Sequence, residues 1–117
     1  MNTAFMPRPE NMSPELVERC ATANITVIDP NLPDATVVAA IKEVDLLLTE
    51  HLYGAMLADL HRVPWISIYA DRGHERKWRE WCATKNMIWN PIDMVEFTLS
   101  WARDFAVPQL SALGTQH

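Results

Sequence analysis

Apolar and polar positions fall along this chain in short blocks. Leu46-Leu47-Leu48 is a wholly apolar run that passes through a polar turn, Thr49 to Gly54, into the nearly all-apolar stretch Ala55-Met56-Leu57-Ala58. Val63-Pro64-Trp65-Ile66-Ser67-Ile68-Tyr69 then supplies a second apolar run. Two buried strands joined by a helix of about ten residues require a parallel crossover. In parallel α/β sheets, ligands sit beyond the strand ends, where the helices begin. The turn from Thr49 to Gly54 is therefore the first place to look for chemistry.

The same alternation of strand and helix runs through the rest of the chain, with glycines and prolines at the joints. Thr3 to Met6 reads as a first strand, stopped by Pro7-Arg8-Pro9. Ser13 is a good N-cap and Pro14 suits the first helical position, so a helix is predicted to Thr22, with Leu16, Val17 and Cys20 inward. Ile25 to Ile28 is the second strand. After the break at Asp29-Pro30-Asn31-Leu32-Pro33, Asp34 to Glu43 has helical spacing that buries Val37, Val38, Ile41 and Val44. Leu46 to Leu48 is the third strand, Tyr53 to Arg62 a helix and Trp65 to Tyr69 the fourth strand. Asp71-Arg72-Gly73 turns the chain into a helix from His74 to Lys85, with Trp78, Trp81 and Cys82 inward. Met87 to Trp89 reads as a last strand ended by Asn90-Pro91. Ile92 to Ala106 reads as a closing helix with Val95, Phe97, Leu99 and Trp101 on a wide apolar face.

These elements predict one three-layer α/β domain of the Rossmann-like kind over residues 1–107, with about five parallel strands, and a polar tail over 108–117. Right-handed crossovers leave two common strand orders, 2-1-3-4-5 and 3-2-1-4-5. The first is favoured. It sets the Pro7 to Asn11 loop and the Thr49 to Gly54 turn on either side of the point where the strand order reverses, and these are the two most polar loops.

With 117 residues, 49% hydrophobic and 21% charged, the chain has material for a single core. A net charge of −5 argues against a nucleic-acid or anionic-membrane partner. No apolar run approaches the length of a membrane span, and no basic segment followed by an apolar one marks a signal peptide, so the cytoplasm is the default location. Cys20 and Cys82 lack CxxC spacing and read as reduced, buried thiols. No pattern of metal ligands, Walker loop or dinucleotide fingerprint is present, so neither a metal nor a cofactor is implied.

Two of the three glycines, Gly54 and Gly73, lie at successive strand-to-helix turns on one edge of the sheet. That edge exposes helix N-terminal amides, which favour anions. Arg72, His74, Arg76, Lys77 and Arg79 concentrate positive charge beside it. Two readings remain open: a phosphate or carboxylate site, or a solvated helix face whose cations pair with Glu75 and Glu80. His51 and Tyr53 are candidate acid or hydrogen-bonding groups in the turn, with a cap or a packed aromatic as the alternative. Of the five tryptophans, Trp65, Trp78, Trp81 and Trp101 have core-facing spacing, and Trp89, near a strand end, is the one not so assigned.

The Thr49 to Gly54 turn, Ala55-Met56-Leu57-Ala58-Asp59, Val63-Pro64-Trp65 and Lys77-Trp78-Arg79-Glu80-Trp81-Cys82 together resemble the bacterial polysaccharide pyruvyl transferase family, in its exopolysaccharide branch. Phe5-Met6-Pro7 and Ile28-Asp29-Pro30 extend the resemblance over residues 5–101. Members of that family transfer the enolpyruvyl part of phosphoenolpyruvate to a sugar as a pyruvate ketal, with the site in the cleft between two Rossmann-like domains. This chain resembles the C-terminal domain. Thr49, Glu50 and Gly54 match the family turn, Tyr53 stands in place of its donor-binding histidine, and His51 lies two positions earlier. Arg8 stands where relatives carry histidine after the proline.

The resemblance implies Tyr53, His51 and Glu50 as the catalytic set. It implies Arg8, Thr49, Gly54, Arg72, Gly73, His74 and Lys77 as groups binding phosphoenolpyruvate. It also implies dependence on a separate N-terminal-type domain. The rival reading is a non-catalytic homodimeric module that buries the surface its relatives use against that domain.

Overall fold

The computed structural model describes residues 2–69 and 73–93. Five parallel strands form one sheet: β1 (Thr3–Met6), β2 (Ile25–Val27), β3 (Leu46–Thr49), β4 (Trp65–Tyr69) and β5 (Ile92–Asp93). Their order is 2-1-3-4-5, the favoured alternative. Four helices connect them: α1 (Pro14–Thr22), α2 (Asp34–Lys42), α3 (Leu52–Leu60) and α4 (Glu75–Thr84). β1 and β3 are buried at every position, as the central strands of a sheet covered on both faces must be.

Side chains divide between the faces by the two-residue period of a strand. Ala4, Met6, Leu47 and Trp65 pack with Val37 and Ile41 of α2, Ala55 and Ala58 of α3, and Trp78 and Cys82 of α4. Phe5, Ile25, Leu46, Leu48, Ile66 and Ile68 form the opposite face, against Leu16 and Cys20 of α1. This is the three-layer α/β arrangement that right-handed crossovers produce from this strand order. Both cysteines are free thiols, and burial raises the pKa of each.

Local signals account for the element boundaries. The Ser13 hydroxyl accepts the Leu16 N–H at 3.1 Å and Pro14 occupies the first turn, so α1 begins where its cap dictates. α1, α3 and α4 are followed by Asn24, Arg62 and Asn86 in the left-handed conformation, at φ of 65°, 59° and 55°, which stops each helix.

Three expectations are corrected. Val17 is exposed, because α1 meets the sheet along the narrow i, i+4 line of Leu16 and Cys20, and Val17 sits about 100° around the helix from Leu16. The fifth strand is Ile92–Asp93, paired with Ile68 and Tyr69, and not Met87 to Trp89. The Met87 N–H is taken by the Cys82 carbonyl at the end of α4, at 2.9 Å. Trp89 turns inward, stacks on Trp78 at 6.1 Å between ring centroids and donates its Nε1–H to the Ser67 hydroxyl at 2.9 Å. The apolar residues of this segment therefore serve the tryptophan cluster and not a ladder. The closing helix predicted from Ile92 begins as strand, and its remainder, with Trp101, the 108–117 tail and Arg72, lies outside the described residues.

Candidate functional site

The strand order reverses between β1 and β3. From β1 the chain leaves toward β2, and from β3 toward β4, so the loops after the two strands diverge and open a crevice at their C-terminal ends. Met6 and Thr49 pair across the last rung, and the Glu50 N–H donates to the Met6 carbonyl at 2.9 Å.

One carboxylate ties the two loops together. Glu50 is 4% exposed. Its Oε1 accepts the Arg8 backbone N–H at 3.0 Å, and its Oε2 accepts the Asn11 side-chain amide at 2.8 Å. The same Oε2 lies 3.7 Å from Nε of the Arg8 guanidinium, which is itself buried. Asn11 closes the loop through its own N–H to the Arg8 carbonyl at 2.9 Å, forming a short 3-10 turn over Pro9–Asn11. A buried charge is tolerable only with such partners.

Glu10 lies near both Arg8 and His74, and His51 is within reach of the charges of all three. Glu10 Oε2 lies 3.8 Å from Arg8 Nη1 and 3.9 Å from His74 Nε2. Half-burial of His51 pushes its pKa below the usual 6.5; the nearby Glu10 and Glu50 charges oppose this, while His74 and Arg8 add to it. His51 is therefore mainly neutral at pH 7 and gains its charge in mild acid. The indentation beside this group is lined by Arg8, Glu50, Tyr69, His74, Glu75, Trp78 and Trp89.

Three of the residues singled out in the sequence thus line one indentation, Arg8, Glu50 and His74, and His51 lies near enough to respond to their charges. The others are placed differently. Thr49 is fully buried and its hydroxyl donates to the His51 carbonyl at 2.6 Å, inside the turn. The Gly54 N–H also donates to the His51 carbonyl, at 3.0 Å, so that amide is engaged within the turn. Tyr53 stands 5.8 Å from His51 between ring centroids, but its hydroxyl points to α2 and donates to Asp34 Oδ1 at 2.7 Å, an interaction that raises the phenol pKa. Gly73 and Lys77 are exposed at the start of α4.

Most of the described basic stretch takes the solvated-helix arrangement. Arg76 pairs with Glu80 at 3.1 Å and Arg79 with Glu75 at 2.7 Å, both one turn apart. Trp89 is buried in the core with Trp65, Trp78 and the partly buried Trp81, so the described tryptophans form no exposed substrate platform.

Glu10 and Asn11 were not singled out as individual residues. The signal was present in the polarity of the Pro7 to Asn11 loop. Among the described residues, no group of His, Cys, Asp and Glu is arranged to hold a metal ion, and no helix is long and apolar enough to cross a membrane.

Against known proteins, no family model matches the chain and no solved structure matches it. A stretch of 73 residues is 30% identical to the succinoglycan biosynthesis protein ExoV of Rhizobium meliloti (strain 1021), covering 62% of this chain and 23% of that protein. The chain is thus similar to about a quarter of the length of a polysaccharide biosynthesis protein.

Proposed function

We propose that this chain is a pyruvyl transferase-like domain of exopolysaccharide synthesis that takes a phosphate-bearing donor, phosphoenolpyruvate, in the crevice between β1 and β3. One observation carries the reading: the buried guanidinium of Arg8 lies at the strand-order reversal, with Glu50 beside it and His74 lining the same indentation. A forked guanidinium suits phosphate and carboxylate oxygens, and phosphoenolpyruvate carries both groups. Similarity to a succinoglycan biosynthesis protein supports the polysaccharide setting.

The catalytic equipment is incomplete. Tyr53 stands in place of the histidine of the resembled family, and its hydroxyl is engaged with Asp34 and raised in pKa, so it is a poor proton donor near neutrality. His51 can exchange a proton in mild acid. A second, N-terminal-type domain would close the cleft and supply the acceptor sugar's site.

Two results follow. In the first, phosphoenolpyruvate binds the isolated chain with about millimolar affinity, near −4 kcal/mol, and moves the amide resonances of Arg8, Glu50, His51 and His74 most. His74→Ala, at a half-exposed side chain, weakens binding by about two- to tenfold. Shifts scattered evenly over the surface would sink the reading. In the second, the chain alone forms no pyruvate ketal on simple hexosides. Ketal formation above background that is lost in Tyr53→Phe would show the domain to be self-sufficient.

A further inference from the structure

We infer that the sheet face carrying Leu48, Ile66 and Ile68 is the docking surface for a segment of this same chain, residues 94–106, laid over β3 and β4 as an amphipathic helix. Those residues follow directly on β5 and lie outside the described ones.

The two faces of the sheet are covered unequally. α2, α3 and α4 all pack on the side of Ala4, Met6 and Leu47. On the other side the described helix is α1, which packs chiefly on β2. Five strands span about 19 Å, and one helix is about 10 Å wide, so α1 covers about half of that face. Yet Leu48 of β3 is 1% exposed, and Ile66 and Ile68 of β4 are 5% and 2% exposed. Among the described residues, Leu16, Cys20 and Ala23 pack against this cluster from the side of α1, and Ile92 from β5. A cover one helix wide is required between them, because a parallel sheet is stable only with both faces covered.

The chain itself supplies an occupant of the right size and polarity. β5 ends at Asp93, paired with Tyr69, so the chain leaves the sheet beside β4. In the residues that follow, Met94, Phe97, Trp101 and Phe105 recur at i, i+3, i+7 and i+11, a stripe about 80° wide on a helix. Glu96, Ser100 and Arg103 fall on the opposite side. Pro108 sets the end of the helical stretch. A helix over 94–106 is about 20 Å long, enough to cross strands of about 13–17 Å. Tethered at Asp93, the segment meets the face at an effective concentration of about millimolar or more, which a second copy matches only at comparable protein concentration. Docking on its own sheet also buries the apolar stripe, whereas a second copy seated on the face leaves that stripe to be buried elsewhere.

The test is nuclear Overhauser spectroscopy on the full chain with labelled Ile and Leu methyl groups. Cross-peaks are expected from the ring protons of Phe97 and Trp101 to the methyls of Leu48, Ile66 and Ile68, and none to those of Ile41 on the other face. A mixture of labelled and unlabelled chain, filtered for contacts between molecules, shows none of these peaks when the segment docks on its own sheet. Trp101→Ala shifts the Ile66 and Ile68 methyl resonances and leaves those of Ile41 nearly in place. Ring contacts that survive the filter put a second copy on the face and overturn the proposal. Ring contacts to Ile41, or to none of these methyls, put the segment elsewhere and overturn it as well. If Trp101→Ala does not fold, the contacts in the unaltered chain still decide.

Discussion

Glu50→Ala is expected to lower the stability of the chain by about 3 kcal/mol or more, a loss of about 10 °C in melting temperature for a domain of this size. The reason is an imbalance left behind in the interior. Glu50 accepts the Arg8 backbone N–H and the Asn11 amide, and it is the buried carboxylate beside the Arg8 guanidinium. Alanine leaves the two hydrogen-bond donors facing a void and takes the buried carboxylate from beside the Arg8 guanidinium, and both losses cost free energy. Glu50→Gln separates the contributions. It restores the volume, and Asn11 can turn its amide to accept from the new side chain, so the remaining loss reports the charge facing Arg8. Chemical denaturation of both variants checks this. A loss below about 1 kcal/mol in Glu50→Ala would mean that the β1 loop holds its shape without the carboxylate.

Gly54→Ala is expected to destabilise by about 1–3 kcal/mol, opposite in sign to helix propensity, which favours alanine over glycine by about 1 kcal/mol in an exposed helix. A Cβ at position 54 would lie 2.6 Å from Thr49 Oγ1 and 2.8 Å from Met6 Sδ, with Thr49 Cβ at 3.3 Å. The Met6 thioether is flexible but fully buried, and the Thr49 hydroxyl is held by the His51 carbonyl, so neither retreats freely. Glycine is needed here for close approach of α3 to the ends of β1 and β3, and not for an unusual backbone angle, since none of the described glycines has positive φ. Adding Thr49→Ala to Gly54→Ala removes the nearest atom. The double variant should be less destabilised than the sum of the two single ones. Strict additivity in urea unfolding, or a stabilised Gly54→Ala, would place the helix farther from the sheet than described.

The sequence by itself determined the strand-and-helix alternation and most of the core, and narrowed the strand order to two, of which the structure has the favoured one. The mostly apolar runs at Leu46 to Leu48 and Trp65 to Tyr69, joined by a short helix, read as parallel strands buried on both faces, and helical spacing marked Val37, Ile41, Trp78 and Cys82 as inward. These are local, periodic signals, legible without a partner. From the strand order it also followed that the loops after β1 and β3 would face each other, which brought Arg8, Glu50 and the His51 turn into view.

What only the tertiary structure decided is where individual side chains in those loops point. Glu50 and Arg8 are 42 positions apart, and no periodicity relates them; the burial of one carboxylate against a particular N–H comes from the path of two irregular loops. Tyr53 is one residue inside α3, yet the approach of α2 directs its hydroxyl to Asp34 instead of the crevice. Met87 to Trp89 has the composition of a strand, but the open end of α4 and the Trp78 ring compete for it more strongly than the sheet edge does. In each case a long-range contact outweighs the local preference, because the free energy of a buried partner exceeds the few tenths of a kcal/mol by which neighbouring residues bias the backbone.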